Sequence, residues 1–227
     1  SGDNYYGDAQ NCQPIFENLT VRDNISGAYN GGGIYFERNS YPTFTDIDFI
    51  NNIGKKGGAV FTQNTHDSII TFNNCNFINN SSTYMGGAIF FENTGATFNN
   101  CNFTGNSSTN SGGAIHAYDA VFNFINTNFR KNHTIYPGVS VMQTNHSDVI
   151  LNNVLVDSNY TVGASNNGVM HFYADNYDAN TILNNVTITN NYSTAGPVNY
   201  GTTVQIATCC NTGASHNSEI KNTLIAN

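Results

Sequence analysis

One phrase recurs through this chain at short, nearly fixed intervals. It limits the fold more than any other feature. Phe72-Asn-Asn-Cys-Asn-Phe77-Ile-Asn-Asn80 returns as Phe98-Asn-Asn-Cys-Asn-Phe103-Thr-Gly-Asn106. Looser copies begin at Phe16, Phe44, Phe124, Leu151 and Leu183, and a stub begins at Ile220. The starts are separated by 28, 28, 26, 26, 27, 32 and 37 residues. Such a period marks a solenoid. One unit cannot bury its own apolar face, but a stack of units can.

The apolar residues of each copy fall at offsets 0, 3 and 5 from its start, as in Phe72, Cys75 and Phe77. The last step is strand alternation, and the first fits a bend between two short strands. A helix would need offsets 0, 3, 4 and 7, and better helix formers than Asn, Thr and Phe. A second phrase lies between the copies: Gly32-Gly33-Ile34, Gly57-Gly58-Ala59-Val60, Gly86-Gly87-Ala88-Ile89 and Gly112-Gly113-Ala114-Ile115. It supplies a tight turn and then another strand. The expectation is therefore an all-β chain: a right-handed parallel β-helix, or solenoid, of about seven coils of 26–37 residues. Residues 1–14 read as a lead-in or arm, and 15–227 as the β-helix with an irregular insertion at 198–219.

Stacking accounts for the composition. Only 10% of the 227 residues are charged, whereas 41 are asparagine. Offset 2 is occupied by Asn18, Asp46, Asn74, Asn100, Asn126, Asn153, Asn185 and Asn222. Offset 8 is occupied by Asn24, Asn52, Asn80, Asn106, Asn132, Asn159 and Asn191. Coils stack at about 4.8 Å. At that spacing an amide can bond to its copy above and below, whereas a column of carboxylates would repel itself. Phe16/Phe44/Phe72/Phe98/Phe124 and Val21/Phe49/Phe77/Phe103/Phe129 read as the inner columns of the core.

The alternation of Gly-Gly-Ala-Ile or Gly-Gly-Ala-Val with Phe49-x-x-Asn52, Phe77-x-x-Asn80, Phe103-x-x-Asn106 and Phe129-x-x-Asn132 resembles the repeat of chlamydial polymorphic outer-membrane proteins. The Asn-Cys-Asn-Phe wording is similar to adhesin-like surface proteins of methanogenic archaea. The resemblance covers about residues 15–200. It implies a right-handed β-helix, a cell-surface location and adhesion, and it brings no catalytic residue.

Other classes find little support. Seven Lys and Arg against fifteen Asp and Glu give a formal charge of −8, which does not suit nucleic acid. No apolar run is long enough to span a membrane as a helix. Acidic residues do not recur at one offset, so a polysaccharide lyase or hydrolase, which needs clustered carboxylates and a basic group, is only an alternative. Arg130, Lys131 and His133 form the best basic spot for it. The six histidines show no metal-ligand spacing, and neither metal nor cofactor is expected. No signal peptide is visible, and Ser1 reads as the start of a mature chain or of a fragment.

Three sets of residues remain as candidate sites. If Ile89 and Phe91 point inward, Phe90 points outward, together with Tyr35, Phe61, His116 and His171. These five flat side chains would form an exposed stripe for a protein or glycan partner. Cys75 and Cys101 share offset 3, within disulfide range or as paired buried thiols. Cys12 lies far along the axis from the vicinal Cys209-Cys210 and could reach them only on a neighbouring molecule, which gives a second alternative, end-to-end self-assembly into a filament. Asn24, Asn80, Asn106, Asn132, Asn159 and Asn191 head Asn-x-Ser/Thr triplets and are candidate glycosylation sites. The reading is an extracellular or cell-surface, non-catalytic, adhesin-like protein.

Overall fold

The computed structural model describes residues 12–37, 40–63, 69–162, 168–175, 178–194, 204–209 and 216–226. These residues contain strands and turns and no helix. The strands pair in parallel in three sheets of twelve, six and seven members. Each coil passes through the first sheet, then the short second sheet, then a glycine turn, then the third sheet. In one coil these are Ile69–Asn73 with Asn76–Ile78, then Ser81–Met85, then Ile89–Glu92.

The pairing is in register with the sequence repeat. Phe16, Phe44, Phe72, Phe98, Phe124, Leu151, Leu183 and Ile220 pair in succession. So do Val21, Phe49, Phe77, Phe103, Phe129, Val156, Ile188 and Ile225. The solenoid has about six turns rather than seven. One reason is that the first coil gives the second sheet only an isolated bridge, Ile25 to Ile53. Val204–Cys209, inside the range expected to be irregular, extends the third sheet, and His216–Lys221, which begins inside that range and runs past it, extends the first.

The core is built from stacked rings. Phe44, Phe72, Phe98 and Phe124 stack with centroids 4.7–4.9 Å apart and nearly parallel planes. The second column, Phe49, Phe77, Phe103 and Phe129, repeats this at 4.5–4.8 Å. Between columns the contact is edge to face, as for Phe72 and Phe77 at 68°. Each favourable aromatic pair adds roughly 0.5–1.5 kcal/mol beyond area burial.

Left-handed residues set the bends. The whole offset-2 column has φ between 46° and 56°. Asn pays little for this conformation because its short amide bonds locally. Offset 7 is a second such bend, at Asp23, Asn51, Asn79, Gly105, Lys131, Ser158 and Asn190. Neither glycine of the turn has room for a Cβ, and the first also has a positive φ. Gly86 has φ +68, whereas a Cβ on Gly87 would lie 2.0 Å from the carbonyl oxygen of Gly113 one coil on. In the first full turn Gly31 and Gly32 hold these places and Gly33 stands where later coils have Ala, because Ile34 pairs with Val60.

Candidate binding faces

The offset-8 asparagines form a continuous ladder inside the solenoid. Asn80 donates from its backbone N and from Nδ2 to Oδ1 of Asn106, at 3.0 and 3.1 Å, and its Nδ2 also reaches the Phe49 carbonyl at 2.9 Å. The same pattern runs from Asn24 through Asn52, Asn80, Asn106, Asn132 and Asn159 to Asn191. Outside, the offset-2 amides link Asn185, Asn153, Asn126, Asn100, Asn74 and finally Asp46. A third column, not foreseen from the sequence, links Asn128, Asn102, Asn76 and Asp48 at offset 4. In both outer columns an aspartate stands at the receiving end, where a group that only accepts is sufficient.

The buried ladder corrects the glycosylation expectation. Asn80, Asn106, Asn132, Asn159 and Asn191 are buried, and the exposed Asn24 also commits its Nδ2 to Asn52. A glycan is incompatible with burial at those five positions, whereas the single Nδ2 bond of the exposed Asn24 leaves its second N–H open to one. The triplet is a packing pattern. In Asn80-Ser81-Ser82 the first and third residues are buried and the second faces out. Asn18, Asn79 and Asn185 head triplets on exposed bends.

The aromatic stripe exists as a column, but it is covered. Tyr35, Phe61, Phe90 and His116 pair in register and stack at 5.2–5.5 Å. Gln143 then separates them from His171. The column stands outside the main core cluster, as the alternation requires. Phe61, Phe90 and His116 nevertheless have no solvent exposure, while Tyr35 is 45% exposed and His171 is half-buried. The connection before each glycine turn folds over them. Lys56 Nζ lies 4.5 Å from the Phe90 centroid, and the Ser111 hydroxyl donates to Gln143. Tyr118 packs against both Phe90 and His116. Burial, with a smaller contribution from Lys56, pushes the His116 pKa down to about 3.

Another aromatic group escaped the sequence reading. On the second sheet His133, Tyr160 and Tyr192 pair in register and stack at 4.6 and 5.3 Å, within 12° of parallel. Exposed Ile135, Tyr136 and Val162 lie beside them. The rings cover each other's faces, so their edges and the tyrosine hydroxyls are presented outward. A protein side chain can pack along the edges. The signal was present in the sequence as His133, Tyr160 and Tyr192 at one offset, directly after the ladder asparagine.

The remaining candidates are accounted for locally. Arg130 pairs with Asp157 at 3.0 Å, Lys131 occupies a left-handed bend, and burial lowers the pKa of the stacked His133. Cys75 and Cys101 are free, buried thiols. Contact with Cys75, then burial, pushes the Cys101 thiol up, and both thiols reach backbone carbonyls. Cys12 is exposed and free, whereas Cys210 and the Cys209 side chain lie outside the described residues. Among the described residues no three or more His, Cys, Asp or Glu gather where a metal could sit. No helix there is long and apolar enough to cross a membrane.

Residues 74–92 and 100–118 match the family profile of the Chlamydia polymorphic membrane protein repeat. These two segments are similar to that repeat. Each matched copy runs from the left-handed asparagine of the first sheet, through the ladder asparagine and the glycine turn, to the end of the third sheet. The repeat therefore specifies most of one coil and omits only the strand before the first bend. No curated protein and no solved structure matches the chain.

Proposed function

We propose that the chain is a non-catalytic, adhesin-like solenoid, extracellular or at the cell surface, which contacts a protein partner through its second sheet. The observation that carries this reading is the group formed by His133, Tyr160 and Tyr192 with Ile135, Tyr136 and Val162. It places exposed apolar and aromatic surface on a protein whose core is already complete. The repeat is that of a membrane-protein family, which supports a surface location. Binding is favoured over catalysis because Arg130, the strongest base of the candidate basic spot, is held by Asp157.

The test is adhesion of the purified chain, coupled to beads, to a panel of cells. A Tyr160→Ser, Val162→Asp double variant should lower bead retention about tenfold, since a well-packed contact centre carries over 1 kcal/mol per residue. Retention equal to that of the parent protein would sink the assignment of this sheet.

A further inference from the structure

The first sheet carries a crease, open to solvent, on a different side of the solenoid from the aromatic group. It lies between two rows of side chains: Asn126, Asn153 and Asn185 on one side and Asn128, Leu155 and Thr187 on the other, with Val154 between them. The crease follows from the backbone. The three asparagines of the first row all have φ of 53–56°, which bends the sheet along the axis.

The first row is an unbroken amide rail, with Nδ2 of Asn185 on Asn153 and of Asn153 on Asn126 at 3.0 and 2.7 Å. Asn153 and Asn126 each spend one N–H and one lone pair on their neighbours, and Asn185 spends one N–H. The other N–H and lone pair are left for something outside. The second row is interrupted. Asn128 donates to Asn102, but its partner on the far side is Leu155, which has nothing to donate. Thr187 follows Leu155. Among the described residues nothing donates to Oδ1 of Asn128. A ladder that runs from Asp48 thus stops inside the crease, leaving an amide oxygen beside an apolar side chain.

We propose that this crease binds a neutral, extended glycan. The free amide groups would pair with hydroxyls, and the unpaired Asn128 oxygen would accept one. Leu155 would meet the C–H face of a sugar ring. The spacing favours a glycan over a peptide. The amides repeat once per coil, about 4.8 Å, whereas same-side groups of an extended peptide repeat at about 6.8 Å. The coil rise is close to the advance of one pyranose ring. Three amides therefore span roughly 10 Å, a site for two or three sugars. The charges beside the crease, Arg130 and Asp157, are paired to each other, so no net charge is offered to an acidic polysaccharide.

The decisive variant is Leu155→Asn. It supplies the missing donor, extends the ladder onto Asn128 and removes the apolar patch. Calorimetric titration with cellohexaose and chitohexaose, and with oligogalacturonate as the charged comparison, reads the outcome. We expect millimolar or tighter binding of a neutral hexasaccharide and at least tenfold weaker binding of oligogalacturonate. Leu155→Asn should reduce affinity at least tenfold while its melting temperature equals or exceeds that of the parent. No binding of either neutral hexasaccharide would overturn the proposal, as would equal affinity in Leu155→Asn or equal binding of oligogalacturonate. The Tyr160→Ser, Val162→Asp variant should bind oligosaccharide normally, which keeps this site separate from the protein-binding sheet.

Discussion

An asparagine serves two opposite purposes in this chain, and the backbone decides which. At offset 2 it is exposed and left-handed, and it bends the sheet. At offset 8 it is buried and hydrogen-bonded on every side. Asn106 shows what the buried position demands. Its Oδ1 accepts from Asn80, and its Nδ2 donates to Asn132 and to the Phe77 carbonyl. Asp has the same shape but cannot donate, and its charge would be stranded. Asn106→Asp should cost about 3 kcal/mol or more, a fall of about 10 °C in thermal midpoint followed by circular dichroism. A change under 2 °C would show that the ladder is dispensable. Both asparagine columns were legible in the sequence because only an amide suits repeated stacking. The glycosylation triplets misled because the same three letters, Asn-x-Ser, also describe an inward amide, an outward residue and an inward small hydroxyl.

The glycine turn shows how one element fits against its copy. Gly86 has both a positive φ and backbone of its own coil too near for a Cβ, and Gly87 has no room for a side chain against the next coil. A Cβ on Gly87 would meet Gly113 O at 2.0 Å and Ser107 O at 2.5 Å, both rigid backbone. Gly87→Ala should therefore destabilise by more than about 3 kcal/mol, measured by urea unfolding. Gly27→Ala has no neighbour within 4 Å and should cost only the left-handed backbone, about 1 kcal/mol. Equal costs for the two would refute the steric account. The Gly-Gly phrase was readable as a turn. Its consequence for Phe90 was not, because alternation tells which side of a strand a residue takes and not what folds over that side. Lys56 lies 34 residues before Phe90 in sequence yet covers its ring. The His133, Tyr160 and Tyr192 stack was missed for a related reason: its strands have only two residues each, too few to show alternation.

The whole molecule should respond to acid through its histidines. His116, His133, His171 and His216 all have pKa values lowered chiefly by burial, His116 to about 3. A histidine depressed in the folded state binds its proton more readily when unfolded. Its contribution is intact above about pH 6.5 and is lost as the pH falls toward the folded value. The thermal midpoint should thus decline from pH 7 to pH 4.5, before Asp157, whose pKa is lowered mainly by Asn190, begins to protonate. His116→Phe, which continues the stack of Phe61 and Phe90, should flatten much of that decline. A midpoint independent of pH across this window in the parent protein would contradict the burial. Globally, the parallel core was legible because period, alternation and column chemistry agreed. The proposed partner faces were not, because outward residues are free of the packing rules that make inward ones readable. The stack has one further consequence. Phe72 and Phe98 open near-identical phrases 26 residues apart, and Thr97 precedes Phe98 just as Thr71 precedes Phe72. Excising residues 98–123 would join Thr97 to Phe124 and bring the coils on either side into the same alignment. Length in such a gene is then a quantity that recombination can change by whole coils, while each surviving coil keeps the neighbours it needs.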